Sequence, residues 1–254
     1  MPHTIAVAGK GGVGKTTTCG MLIDYLCKKK RGPVLVVDAD ANSNLNEVLG
    51  VEVETSLGQI REEMAQAELK GTIPKGMTKA DYAEFKFNSA LIEDDDFDML
   101  VMGRTQGEGC YCFVNSMLKR QMDKYIPNYK YVVMDNEAGL EHVARGTLPH
   151  VDTMLLISDC SRRGIQAVGR LAEMIREMNL NPGQMGLIVN RAPGGVLDDG
   201  IKAEIEKHGL TLFGVLPQDE AVYRCDCDGE PSSRLPENDP MKVALQGILK
   251  SIGL

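Results

Sequence analysis

The sequence predicts an α/β fold with a mostly parallel central sheet and helices on both faces. Two observations carry this expectation. Short apolar runs alternate with longer helical patterns, and a glycine-rich turn stands between the first run and the first helix. The runs Thr4–Ala8, Val34–Val37, Met99–Met102, Tyr131–Met134, Thr153–Ile157, Gly186–Val189 and Phe213–Leu216 are rich in Val, Ile and Leu. They are short and bounded by Gly, Asp, Asn or Pro, so they read as strands buried on both faces. Helical patterns cover Lys15–Lys30, Tyr111–Tyr125, Gly164–Asn179 and about Asp198–His208. Such alternation implies right-handed crossovers, with ligands at the carboxyl ends of the strands. Residues 51–98 break the rhythm with charged helical segments at Leu57–Lys70 and Thr78–Ala90. An acidic run follows, Glu93, Asp94, Asp95, Asp96 and Asp98. This interval reads as a helical insertion packed on the core, with the acidic run as solvated surface.

The 254 residues suit one domain spanning 1–254. Hydrophobic residues at 43% and charged residues at 25% fit a folded globular chain. A formal net charge of -8 argues against nucleic acid as the main partner, because phosphate-backbone binding needs a surplus of Lys and Arg on one face. No apolar stretch reaches the roughly 18 residues of a membrane span, and the N-terminus lacks a leader pattern, so a cytoplasmic protein without membrane contact is expected. The tail carries an apolar stripe, Met241, Leu245, Ile248, Leu249 and Ile252, read as a last core helix; Lys242 and Lys250 are thin charge for anionic lipid.

Gly9-Lys10-Gly11-Gly12-Val13-Gly14-Lys15-Thr16 fits GxxxxGK[ST] in the strand-to-helix context that the motif requires. It predicts a single P-loop NTPase domain. The glycines let backbone N–H groups turn inward around phosphate oxygens, and the helix that follows points its positive end at them. Gly11, Gly12, Val13, Gly14, Lys15, Thr16 and Thr17 form the candidate ATP-binding loop. Lys15 reaches the β- and γ-phosphates and the Thr16 hydroxyl ligates Mg²⁺. Asp135 closes the run Tyr131–Met134 as a Walker B carboxylate for Mg²⁺. Asp38 and Asp40 follow Val34–Val37; Asp38 joins the candidate magnesium set, and a carboxylate at this neighbouring strand end orients the attacking water. Lys10 has no evident duty in its own site once Lys15 is accounted for.

These residues resemble the MinD/ParA/nitrogenase-iron-protein class of deviant Walker ATPases over nearly the whole chain. The resemblance implies that Lys10 reaches across a homodimer to the partner's nucleotide. Val37-Asp38-Ala39-Asp40 is similar to that class's switch I, which makes Asp40 the catalytic aspartate. Asp135-Asn136-Glu137-Ala138-Gly139 is similar to its switch II, with Gly139 sensing the γ-phosphate. Asn190-Arg191 resembles the adenine-binding pair, and Leu216-Pro217 the start of the loop over the base. Asn136 and Glu137 depart from the pattern by placing polar bulk where relatives often carry small residues; Glu137 is expected to face solvent.

Seven cysteines occur, Cys19, Cys27, Cys110, Cys112, Cys160, Cys225 and Cys227, and an odd count in a reducing compartment argues against a disulfide framework. Cys19, Cys27 and Cys160 read as small buried hydrophobes. Cys110-Tyr111-Cys112 precedes a helical pattern, whose positive end favours thiolates. Thiolates are soft ligands for Zn²⁺, Ni²⁺, Cu⁺ or Fe–S clusters. Two at this spacing cannot complete a four-coordinate metal, but a two-fold dimer brings two such pairs to its axis, matching square-planar Ni²⁺ or tetrahedral Zn²⁺. A reactive or buried pair is the plain alternative. Gly107-Glu108-Gly109-Cys110-Tyr111-Cys112 and the Asp135–His142 segment narrow the resemblance to the CooC-type ATPases that mature carbon monoxide dehydrogenase and to the acetyl-CoA synthase accessory ATPase. That resemblance implies nickel at the dimer interface and ATP-dependent nickel insertion into such a client enzyme. Cys225-Asp226-Cys227-Asp228 reads either as a second metal site or as surface thiols. None of His3, His142, His150 or His208 is assigned as a ligand. Two other readings share the core: an Fe–S electron donor like nitrogenase iron protein, and a ParA/MinD-like positioning ATPase.

Overall fold

The structure is a computed structural model, and it describes residues 2–29, 32–104, 119–120, 122–137, 148 and 150–254. In chain order the elements are β1 (His3–Gly9), α1 (Lys15–Lys28), β2 (Val34–Ala39), α2 (Leu45–Leu49), α3 (Leu57–Lys70), α4 (Lys79–Asn88), β3 (Ile92–Glu93) and β4 (Phe97–Val101). Then come β5 (Tyr131–Asn136), β6 (Thr153–Asp159), α5 (Arg162–Glu177), β7 (Gln184–Ala192), α6 (Asp199–Lys207), β8 (Leu212–Pro217), α7 (Glu220–Asp228) and α8 (Pro240–Ser251).

The strands form one sheet of order β3-β4-β2-β5-β1-β6-β7-β8. Every pairing is parallel except β3 on β4. Successive side chains point to opposite faces, and both faces are covered. Ala6, Leu35, Val37, Val132 and Met134 pack with α3, α5 and α6 on one side. Ile5, Val34, Val36 and Val133 pack with α1, α2 and α8 on the other. This double burial is why the strands read as continuous apolar runs. α3 and α4 cover the sheet through Leu57, Ile60, Met64 and Phe87, and each opens on a capping box, Ser56 with Gln59 and Thr78 with Asp81. The sheet resumes earlier than the apolar run implied, at β3 and at Phe97 of β4; Glu93, Asp94, Asp95 and Asp96 are exposed. The tail stripe lies inside. Met241, Leu245, Ile248 and Leu249 are buried against β8 and α1. Among the described residues no helix is long and apolar enough to cross a membrane.

In this strand order β1 lies between β5 and β6; the chain leaves β1 for β2 on one side and later crosses from β5, past β1, to β6 on the other. A crevice opens at the carboxyl ends of strands where the order reverses in this way. The P-loop, the end of β2 and the end of β5 all lie there.

Candidate functional site

Gly14 is the N-cap of α1 at φ 90, in the left-handed region open to glycine. A Cβ there would lie 2.3 Å from Asn190 Nδ2. That closeness is functional in shape: Asn190 Nδ2 donates to Val13 O at 3.0 Å, and Asn190 Oδ1 accepts the Arg191 N–H at 2.8 Å. Arg191, itself at φ 57, donates from Nη1 to Gly12 O at 3.0 Å. The Asn190-Arg191 pair at the end of β7 therefore clamps the P-loop backbone. Lys15 is buried at the start of α1 and donates from Nζ to Lys10 O at 3.3 Å, while the Lys10 side chain is exposed.

Asp38 and Asp135 are register neighbours on β2 and β5. Both are buried. Asp38 accepts the Asp40 N–H on Oδ1 at 3.0 Å and the Leu45 N–H on Oδ2 at 3.2 Å. Burial pushes the Asp38 carboxyl up to about 6 against those hydrogen bonds, with nearby Asp40 adding to the rise. Burial also pushes Asp135 up to about 7; the Thr16 hydroxyl and Lys15 oppose this, and Asp38 and Asp40 add to it. Asp135 Oδ1 is buried without a hydrogen-bond partner among the described residues. An orphaned carboxylate oxygen beside a threonine hydroxyl fits Mg²⁺, which takes one or two protein oxygens and fills its octahedron with phosphate and water. Asp40 is half-buried at the mouth, its Oδ1 accepting the Asn42 N–H at 2.8 Å.

A cleft of about 580 Å³ continues from the P-loop and is lined by Gly14, Thr17, Asn190, Arg191, Pro217 and Tyr223, among others. Its size and its mixed polar and aromatic lining suit a nucleoside. Gly14, Thr17, Asn190, Arg191 and Pro217 line this one cleft. Tyr223, Asp219 and Met241 were not anticipated there. Asp219 Oδ1 accepts the Ala221 and Val222 N–H groups and so caps α7, and Tyr223 stands one helical turn on. An Asp before a polar helix was the available signal.

Asn136 is buried, with Nδ2 donating to Val7 O at 3.0 Å, whereas Glu137 is exposed. Cys19 is buried and Cys27 and Cys160 are half-buried. Cys225 and Cys227 sit on α7, Cys227 exposed; two positions apart on a helix, their side chains diverge. Among the described residues no group of three or more His, Cys, Asp or Glu is arranged to hold a metal. Cys110, Cys112, Gly139 and His142 lie outside the described residues, as does the start of the Tyr111–Tyr125 helical pattern.

Comparison with known proteins follows the same geometry. Residues 4–232 match the model of the CobQ/CobB/MinD/ParA nucleotide binding domain. An uncharacterized ATP-binding protein of Methanocaldococcus jannaschii is 41% identical over 248 residues, 98% of this chain and 97% of the relative. The carbon monoxide dehydrogenase accessory protein CooC of Rhodospirillum rubrum is 27% identical over 241 residues, covering 84% of this chain and 90% of the relative. Among solved structures, septum site-determining protein MinD of Pyrococcus horikoshii, complexed with Mg-ADP, superposes with a TM-score of 0.71 at 19% identity, over 100% of this chain and 96% of that one. The chain belongs to the CobQ/CobB/MinD/ParA family of P-loop nucleotide-binding proteins.

Proposed function

We propose that this chain is an ATP-hydrolysing metallochaperone of the cytoplasm. ATP closes a homodimer, four cysteines at its interface hold one nickel ion, and hydrolysis reopens the dimer and releases the metal. The client is a nickel enzyme such as carbon monoxide dehydrogenase or acetyl-CoA synthase. The observation that carries the ATPase part is the convergence of Lys15, Thr16, Asp38 and Asp135 at one strand-end crevice.

Lys15 binds the β- and γ-phosphates and Thr16 with Asp135 faces the metal side. Mg²⁺, when bound with nucleotide, neutralises charge on the phosphate oxygens. Asp40 holds the attacking water in line, and Gly139 senses the γ-phosphate. Lys10 is exposed beside the P-loop, and in this reading it reaches the partner subunit's nucleotide. Asn190, Arg191 and Pro217 line the base cleft. The metal part rests on the Cys110/Cys112 pair and on likeness to a relative named as a carbon monoxide dehydrogenase accessory protein. Zn²⁺ is the competing ion, since thiolates accept both and availability decides.

The test is the double variant Cys110→Ser/Cys112→Ser. It should lose stoichiometric Ni²⁺ binding in equilibrium dialysis while binding ATP like the wild type. Unchanged nickel affinity would remove the interface site from the account. A ParA/MinD-like positioning role is the second reading, favoured by the likeness to the MinD structure. Against its membrane form stands α8, whose apolar face is already used in the core. Sedimentation with anionic liposomes, with and without ATP, separates the two.

A further inference from the structure

The carboxylate at Asp40 stands on a short turn after β2. Ser43 donates to Asp40 O from both its N–H, at 3.1 Å, and its hydroxyl, at 3.3 Å. Ser43 takes φ 52, a conformation that costs a residue with a side chain about 1 kcal/mol or more. Asn42 at the tip is exposed, and its backbone N–H reaches back to Asp40 Oδ1 at 2.8 Å. A turn built this way grips its carboxylate from inside, and an anchor holds its tip from outside.

That anchor comes from a distant part of the chain. Arg104 Nη2 donates to Asn42 Oδ1. Arg104 follows β4, two residues beyond a backbone that is held on both sides. Met102 donates its N–H to Asp38 O at 2.9 Å, and Gly58 donates to Met102 O at 2.8 Å. The first turn of α3 packs so closely that a Cβ on Gly58 would lie 2.3 Å from Arg104 O, which only glycine permits. Arg104 therefore reaches from the β4–α3 junction across to the turn, and the link runs guanidinium, Asn42, Asp40.

We infer that Arg104 is a positioning residue for Asp40, acting through Asn42. The inference rests on the reading of Asp40 as the carboxylate that orients the attacking water. In-line attack tolerates little misplacement, and shifts of about 1 Å are enough to cost large factors in rate. Arg104 acts on the turn and not on the phosphates, so its loss falls on kcat. A lysine at the same place keeps a donor for Asn42 Oδ1 but not the planar fork.

The experiment is steady-state ATP hydrolysis by the full chain, with ATP affinity read separately from a fluorescent ATP analogue. Arg104→Ala and Asn42→Ala should each lower kcat by about tenfold, with analogue affinity within about twofold of wild type. The double variant should fall no further than the worse single variant, because both remove one linkage. Arg104→Lys should recover to within about threefold of wild type. An unchanged kcat in Arg104→Ala, a loss confined to nucleotide affinity, or additive losses of about a hundredfold in the double variant would each overturn the inference. Asp40→Asn distinguishes the two levels. If it hydrolyses ATP at the wild-type rate, the reading of Asp40 itself fails. If it is inactive while Arg104→Ala is normal, only the role of Arg104 fails.

Discussion

Two carboxylates side by side in a dry sheet are unusual company. Asp38 and Asp135 face each other across β2 and β5, both buried, with pKa values of about 6 and about 7. In the unfolded chain each ionises near the ordinary aspartate value of about 4. The folded protein therefore holds protons that the unfolded chain has lost, between about pH 4 and about pH 7. Over that window stability falls as pH rises. Carboxyls held below their usual range, such as Asp152 and Glu237, act with the opposite sign and only near or below about pH 4. Thermal unfolding of nucleotide-free protein should thus show a higher Tm at about pH 5 than at about pH 7.5, and Asp135→Asn should remove much of that difference. Equal slopes in the two proteins would show that Asp135 ionises normally. Mg²⁺ with nucleotide should raise Tm more at the higher pH, where the carboxylates are free of competing protons.

At the scale of elements, the chain is knitted to the P-loop helix from its far end. Lys242 on α8 is 3% exposed and donates to Asp24 Oδ2 on α1 at 2.8 Å and to Ser233 O at 2.5 Å. Replacing it with Met removes the cation and leaves Asp24 with Lys28 alone, at 3.0 Å. Because Asp24 is partly solvated, Lys242→Met should cost about 2 kcal/mol in denaturant unfolding, below the full penalty of a broken buried pair. A change under about 0.5 kcal/mol would show that the pair is incidental. The strands were legible because both faces are apolar, but their ends were not. β2, β5, β6 and β7 run on through Asp38, Asp135, Asn136, Asp159 and Asn190, polar residues that look like loop in a hydropathy pattern. Asp38, Asp135 and Asn190 among them belong to the candidate site. α7 escaped notice because Glu220–Asp228 buries no residue and so has no apolar stripe. β3 is two residues at the edge of an acidic run, held by pairing with β4 and by Ile92 packed on the core. The Arg104–Asn42 bond spans 62 positions and has no local signal at all.

At the scale of the whole molecule, the phosphate-loop motif and the strand–helix alternation were legible in the sequence, the strand order was not, and the family follows from the match over residues 4–232. The proposed dimer and its proposed metal rest on chemistry that one chain cannot complete: an exposed Lys10 beside a loop already served by Lys15, and a Cys110/Cys112 pair two thiolates short of a four-coordinate ion. One two-fold axis would meet both shortfalls. The most direct measurement is a Ni²⁺ titration of the reduced protein, with and without ATP, followed by native mass. With ATP, a dimer carrying one nickel should form, at lower nickel concentration than without ATP. One nickel on each monomer, or a mass that stays monomeric at saturation with both ligands, would contradict the shared four-cysteine site.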